Sequence, residues 1–449
     1  MTTQDGSALP LRPALAPIPD NPDQKGEILR AAQMAELLYR PKSREAIALT
    51  RTLTDELMQI ELKTGKRSRR RTIEEEKRLL ASLSAFWSDL MIHSNNEAAL
   101  GCCYHPTNQD DYANNLAARR QLEAVIEVWE DHGLVEFFVG FSPLDDFDGE
   151  AYRRRGFARR VRATERLVNL TKRSGVEPAY IQDHIEYAHR ASFPIEAKTC
   201  DGKKATFKPK ALSDQAEPIW LLNEFLDQQT YSFPTKPRLR RLFHMADDPA
   251  FSWNKGGRIY AVGPDNFQTL PSSERNLITV NGEETAELDI SASHLTIFLG
   301  LNGELNEVSS DLYSLDGYSR AAVKQVITAA FGKGEMPTRW PRGAKKGIAE
   351  VDGIDVSEVP KIGEVVNAIL AKYPALSQLE ETDLDWSVLQ YHESEAFLSV
   401  MLCLMNEHTV PSLPVHDSLI VPQSKKELTR SLLQQAYVTQ CNVLPAMTY

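Results

Sequence analysis

The chain has 449 residues, with 51 Lys and Arg against 62 Asp and Glu and a formal net charge of −11. That length suggests two or three domains with a sizeable core, and the acidic balance restricts nucleic-acid binding to local basic patches. No apolar run approaches the roughly 18–20 residues that span a bilayer and no signal-peptide core opens the sequence, so a cytoplasmic protein with no membrane partner is expected.

Residues 1–27 hold five prolines and little apolar periodicity, which reads as a disordered lead. From Ile28 the pattern becomes helical, with Leu29, Ala32, Leu37 and Leu38 on one broad apolar face. Between Lys63 and Arg71, KTGKRSRRR places six basic residues in nine positions. It reads either as a solvated loop or as a phosphate-contacting arm. A core helix follows over Glu74 to Met91, with Leu79, Leu80, Leu83, Trp87 and Leu90 at helical spacing. The five cysteines (Cys102, Cys103, Cys200, Cys403, Cys441) show no CxxC pairing, as suits a reducing compartment. Cys102 and Cys103 with His105 could be half a zinc site, but no second ligand pair follows, which favours buried thiols.

A helix from about Leu116 to His132 should bury Leu122, Val125, Ile126 and Trp129 and stop at Gly133 in a left-handed cap. LVEFFVGFS then reads as a strand, Asp145 to Gly156 as a polar loop, and ARRVRATERL as the start of a second strand. Helix, ribbon and basic loop resemble a winged helix-turn-helix domain. From Glu150 to Gly175 there are nine Lys and Arg against two Glu. Arg153, Arg154, Arg155, Arg159, Arg160 and Arg162 are therefore candidates for a DNA-binding wing, against the alternative of a basic surface on an ordinary α+β domain. Further on, Tyr180 to Ala191 looks helical, Thr199 to Pro209 is a basic loop or hairpin, Ile219 to Leu226 is an amphipathic helix, and Lys236 to Phe243 (KPRLRRLF) is a second basic cluster.

Three later stretches carry the chemistry. Asp289 follows a strand-like run, Thr285 to Leu288, and precedes an apolar helical pattern through Leu295, Phe298 and Leu299. A carboxylate at the end of a buried strand is either an N-cap or a ligand for a cation. On a helix starting near Arg320, the side chains of Arg320, Lys324 and Phe331 fall within roughly 40° of one another, and Gly332 should end it. Two cations spaced (i, i+4) repel unless an anion such as a triphosphate lies between them; solvated helix cations are the alternative. PSLPVHDSLIVP, Pro411 to Pro422, reads as a β-hairpin with Asp417 at its tip. A tip beside the Asp289 strand end would hold two carboxylates around divalent cations, with oxygen ligands favouring Mg²⁺ over zinc.

LDIS at Asp289, the R-x3-K-x6-FG series from Arg320 and VHDS at Asp417 resemble motifs A, B and C of family A (DNA polymerase I-like) DNA polymerases. Single-subunit phage-type RNA polymerases share that palm. GGRIYAV, the NFQTL segment after it and DLYS at Asp311 are similar to segments of these enzymes. The resemblance covers about Trp253 to Val421. It implies metal ligands at Asp289 and Asp417 with the Ile290 carbonyl, two Mg²⁺ ions with Mn²⁺ as a substitute, and a dNTP or NTP substrate. Nucleotide contacts are implied at Arg320, Lys324, Phe331 and His294, and primer–template contacts at Arg258, Gln268 and His416. Three departures stand out: the Lys324 to Phe331 spacing is one residue short, His294 replaces the motif A glutamate, and no exonuclease domain or full thumb precedes the palm. In that position His294 would exclude a 2′-hydroxyl, hydrogen-bond one, or close the core.

The expectation is an α+β protein. It would have a disordered lead over 1–27, a helical, winged-helix-like region over 28–215, and a palm with an antiparallel sheet and reduced fingers over 216–449. Its activity would be template-directed nucleotidyl transfer (a DNA polymerase, or a primase or RNA polymerase) in replication of a plasmid, phage or other mobile element. The rivals are a DNA-binding replication initiator or regulator with an inactive palm, and a metal-dependent phosphodiesterase using the same carboxylates.

Overall fold

Contacts divide the chain into two units, Met1–Ser192 and Phe193–Tyr449, each with its own buried apolar cluster. The computed structural model describes residues 22–105, 115–138, 144–147, 150–153, 159–233, 236–262 and 266–448.

The first unit is helical around small sheets. It opens with α1 (Pro22–Ala31), β1 (Gln33–Met34), β2 (Tyr39–Pro41) and α2 (Arg44–Lys63). The expected lead therefore ends in a helix, although its first residues lie outside the described ones. The helical pattern read through Leu38 stops at Ala31; Leu37 and Leu38 are buried in the irregular link between β1 and β2 instead. α2 is capped by Ser43, whose Oγ accepts from Ala46 N–H at 3.1 Å, satisfying one of the orphan donors of the first turn. α3 (Ile73–His93) starts on a reciprocal box between Thr72 and Glu75, and Leu79, Leu83, Phe86, Trp87 and Leu90 form its core face. Half of the basic loop before α3 is neutralised: Lys66 binds Glu127 and Asp131, Arg67 binds Glu75, and Arg71 with Glu61 forms a buried pair at 2.6 Å. Lys63, Arg69 and Arg70 remain exposed.

β3 (Cys103–Tyr104), α4 (Arg119–Asp131), β4 (Val135–Phe138), the hairpin β5 (Leu144–Phe147) and β6 (Glu150–Arg153), β7 (Arg160–Ala163), α5 (Glu165–Arg173) and β8 (Ile185–Tyr187) complete the unit. Gly133, at φ 63°, turns the chain from α4 into β4. β4 and β7 are antiparallel within a sheet of order β1-β3-β7-β4. Two readings are corrected. The stretch read as a polar loop holds the β5–β6 hairpin. The α-helix expected over Tyr180 to Ala191 is absent, because Ile185–Tyr187 pairs with β2 and only short 3₁₀ segments, Pro178–Asp183 and His189–Ala191, flank it. Cys102 and Cys103 are buried free thiols; burial pushes the Cys102 thiol up to about 11.

The second unit begins with β9 (Ile195–Ala197), α6 (Pro209–Asp227), β10 (Leu239–Phe243) and β11 (Gly256–Ala261). The expected domain boundary at 215/216 falls inside α6, a continuous helix of this unit. β9, β10 and β11 make a three-stranded sheet. The second basic cluster is part of it: Arg241 is buried on the Gly257 carbonyl at 2.8 Å and on Glu395, and Arg240 pairs with Glu196.

After the short α7 (Ser272–Arg275), β12 (Thr279–Val280) and β13 (Glu283–Ile290) form a hairpin. Asn281 and Gly282, at φ 54° and 80°, supply the two left-handed residues of a type I′ turn. The chain continues through α8 (Ser293–Leu301), α9 (Arg320–Lys333), α10 (Ala344–Asp352), α11 (Ile362–Lys372) and α12 (Trp386–His408). It closes with β14 (Leu413–Val415), β15 (Ser418–Pro422), α13 (Lys426–Cys441) and β16 (Met447–Thr448). α9 runs one residue beyond the expected stop and ends on left-handed Gly334 rather than at Gly332. β13 lies inside a five-stranded sheet, antiparallel to β15 on one side and to β12 and β16 on the other. α8 packs against the end of α13 so closely that a Cβ on Gly300 would lie 2.2 Å from the Cys441 carbonyl oxygen, so only glycine allows this approach.

Candidate active site

Asp289 is fixed by backbone pairing on both sides of β13, opposite Ser418 of β15 and Thr448 of β16. Asp417 occupies the turn between β14 and β15, immediately after His416, which sits at φ 54°. The amide of Ile290 donates to the Asp417 carbonyl at 3.2 Å, tying the strand end to the hairpin tip. Two residues on, Ala292 adopts a left-handed conformation (φ 49°) that folds the chain sharply from β13 into α8. Such strain in a residue with a Cβ concentrates at functional positions.

These elements enclose a cleft of about 440 Å³. Asp289, Ile290 and Asp417 form one wall; Arg320, Lys324 and Phe331 of α9 face it, with His294 beside them. The strand-end acid, the hairpin-tip acid and the two helix cations are thus brought to one place. Arg320 is exposed, pairs with Asp311 at 2.7 Å and lies over the Tyr313 ring. Lys324 is exposed, and no carboxylate pairs with it among the described residues. Phe331 is more wall than free platform, being 4% exposed and packed on Phe298 at 5.5 Å between ring centroids. The His294 ring meets its edge at 6.4 Å.

Burial and crowded carboxylates set the electrostatics. Burial, and then the neighbouring charges of Asp417 and Glu287, push the Asp289 carboxyl up to about 7, with Lys324 opposing them. Asp417 is likewise raised by burial and by Glu393, opposed by the Arg258 guanidinium. Each carboxylate penalises the other's ionisation, as expected where like charges share a site. Glu287, on the same face of β13 as Asp289, is neutralised by Arg275 at 2.9 and 3.0 Å and accepts from Ser418 Oγ at 2.6 Å.

Glu393 of α12 is a cleft residue that sequence reasoning missed. It is 1% exposed. Arg258 donates to its Oε2, from Nε at 3.1 Å and from Nη2, and Ser293 Oγ donates to its Oε1 at 2.6 Å. Because the Ser293 proton is committed there, the Tyr437 hydroxyl, 2.8 Å away, donates to Ser293. His294 Nε2 lies 3.8 Å from Glu393 Oε1 and has no hydrogen-bond partner among the described residues. A signal for Glu393 was present: it is an acid on the helix face of Leu389, Ala396, Phe397 and Val400, all buried.

Several expected contacts are placed elsewhere. Arg258 lines the cleft but is engaged by Glu393. Gln268 lies outside it, where its side chain accepts from Ala261 N–H at 2.8 Å and donates to the carbonyls of Ile259 and Pro414 at 3.2 and 2.6 Å, bridging β11 and β14. His416 is exposed at the hairpin tip and is not among the cleft-lining residues.

In the first unit, the proposed wing is corrected in part. Arg160 and Arg162 are 4% and 6% exposed. Arg160 Nε donates to the Leu29 carbonyl at 2.8 Å, while Arg162 binds Glu136 and the Leu100 carbonyl. Guanidinium groups held this way satisfy buried acceptors and do not reach phosphates. Arg159 is exposed but pairs with Glu130 over the Phe137 ring. Arg153 ends β6, and Arg154 and Arg155 lie outside the described residues.

Among the described residues no helix is long and apolar enough to cross a membrane. No protein-family model matches the chain, and no curated protein matches its sequence.

Proposed function

We propose that the second unit is a template-directed nucleotidyltransferase with a family A-like palm, in which Asp289 and Asp417 hold the catalytic cations and α9 receives the triphosphate. The observation that carries this reading is the placement of two carboxylates, one on β13 and one in the turn that leads into its antiparallel neighbour β15, in one cleft with Arg320 and Lys324.

The residues fit a divalent metal. Burial raises both acids, with Asp417 adding to the rise of Asp289 and Glu393 to that of Asp417, so a cation between them would be stabilising, and an all-oxygen donor set suits Mg²⁺, with Mn²⁺ as a substitute. Asp289, Asp417 and the Ile290 carbonyl would hold it. When bound, a two-metal centre activates an attacking hydroxyl and stabilises a departing pyrophosphate.

The protein's own groups supply the rest. Lys324, which no described carboxylate pairs with, offers its ammonium to the phosphates, and Arg320 exchanges Asp311 for them, adding charge-assisted hydrogen bonds to anionic oxygens. Phe331 and His294 form the apolar side against which a base and sugar would rest. Glu393 holds Arg258 and Ser293 in place, keeping α8 and β11 in register around the reacting centre. The alternative is a replication initiator or regulator with an inactive palm. The ammonium of Lys324, which no described carboxylate pairs with, stands in the same cleft as the acid pair and favours the active reading.

The test is incorporation of labelled dNTPs and NTPs on primed and unprimed DNA and RNA templates with Mg²⁺ or Mn²⁺. Template-dependent products are expected. Metal-dependent strand cleavage without incorporation would favour a phosphodiesterase instead.

A further inference from the structure

The cleft does not end at α9. Gly332, on its rim, also lines a neighbouring hollow of about 490 Å³ together with Lys333, Arg339 and Pro341. A Cβ on Gly332 would meet nothing within 4 Å, so the helix surface between the two hollows is open.

Beyond that opening lies a stretch of one-sided charge. Residues 336–346 (MPTRWPRGAKK) carry four cations and no carboxylate, in a chain whose net charge is −11. Arg339, Arg342 and Lys345 are exposed, and none forms an ion pair with a described residue; Lys346 is 3.7 Å from Glu350. The segment is held firmly. Trp340 Nε1 donates to the Pro360 carbonyl at 3.1 Å, and its ring packs against the apolar cluster of Ala322, Ile348, Ala349 and Val359. Gly343, at φ 80°, then turns the chain into α10.

Lys345 and Lys346 fall in the first turn of α10, which has no acidic residue. Cations there oppose the helix dipole and are unfavourable for the isolated fold. An extended polyanion laid across the segment would offset that cost and the mutual repulsion of the four cations.

We infer that Arg339, Arg342 and Lys345 form a track for the sugar–phosphate backbone of single-stranded template, continuous with the candidate active site across Gly332. The inference rests on the nucleotidyltransferase reading and names a strand path for it. Single strand rather than duplex is favoured because the opening is the bare surface at the end of one helix, and because the cations follow one another along one short stretch of chain.

The test uses the full chain, as wild type and as Arg339→Ala/Arg342→Ala/Lys345→Ala, with matched thermal unfolding as the control for folding. Fluorescence anisotropy measures binding, over a series of salt concentrations, to a primed hairpin with a 5′ overhang of about ten nucleotides and to the same hairpin blunt-ended. The variant should lose at least tenfold in affinity for the overhang substrate. Its salt slope should fall by about 2, the product of three lost phosphate contacts and ~0.7 each for single strands, while blunt-end binding stays unchanged. Unaltered overhang affinity and slope in the variant, with the wild type still extending primers, would overturn the track and leave the enzyme reading standing. Equal losses on blunt and overhang substrates would overturn the single-strand assignment. A wild type that binds neither hairpin and incorporates no nucleotide would overturn the nucleotidyltransferase reading, and the track with it.

Discussion

The amide of Ile290 donates to the carbonyl of Asp417 at 3.2 Å, so the strand that carries Asp289 and the hairpin that carries Asp417 cannot separate without breaking a backbone hydrogen bond. The two acids are held together by the sheet itself, at the cost of mutual repulsion. Burial and that repulsion have consequences that can be measured without assuming any reaction.

The first is a pH dependence. Burial and Asp417 raise Asp289 from the ordinary 3.8 to about 7 in the fold. An acid raised on folding contributes stability that is fully present below its unfolded value and is lost as pH rises through its folded value. Metal-free protein should therefore lose stability between about pH 4 and 7. Asp289→Asn should melt higher than wild type at about pH 8 and at the same temperature below about pH 4. Added Mg²⁺ should stabilise wild type more at pH 8 than at pH 5, since binding displaces the proton. Thermal melts across pH, with and without metal, check this; a wild-type advantage over the Asn variant in metal-free buffer at pH 8 would contradict it.

Glu393 gives the second. Arg258 and Glu393 form a buried ion pair, and removing one partner strands the other. Glu393→Ala should cost about 3–5 kcal/mol in urea unfolding, and replacing both residues with leucine should cost clearly less than the sum of the two single changes. Additive losses would show that the pair is not coupled.

A third prediction separates the two cations of α9. Arg320 has Asp311 as a competing partner, whereas no described carboxylate holds Lys324. A charge-assisted contact is worth roughly 1.5–3 kcal/mol, so Lys324→Ala should weaken nucleotide use at least tenfold. Arg320→Ala should have a smaller effect, because ligand binding must first displace Asp311. Nucleotide dependence of incorporation measures both, and equal dependence in wild type and the Lys324 variant would return this lysine to the solvated surface.

The sequence made some of this legible and hid the rest for physical reasons. Strand-to-helix punctuation around Asp289, the hairpin around Asp417 and the (i, i+4) spacing of Arg320 and Lys324 are local patterns, and the structure has β13, the β14–β15 turn and α9 at those places. What failed depended on partners far away in the chain. Arg160 and Arg162 look like an exposed basic ribbon until the carbonyls of Leu29 and Leu100 are seen beneath them. Gln268 has the composition of a substrate contact but spends its amide joining β11 to β14. Pairing with β2 drew Ile185–Tyr187 into a strand against its helical pattern. Glu393 is the reverse case, an acid on an apolar helix face that announced a buried partner without naming Arg258.

The central claim is that Asp289 and Asp417 together hold the cations of a nucleotidyl-transfer site. Single-turnover primer extension with Mg²⁺ by wild type, Asp289→Asn and Asp417→Asn tests it most directly, with template binding measured in parallel. Both variants should bind template about as well as wild type and lose extension by at least about a hundredfold, the scale of a lost transition-state charge contact. Near-normal extension by either variant would contradict the account.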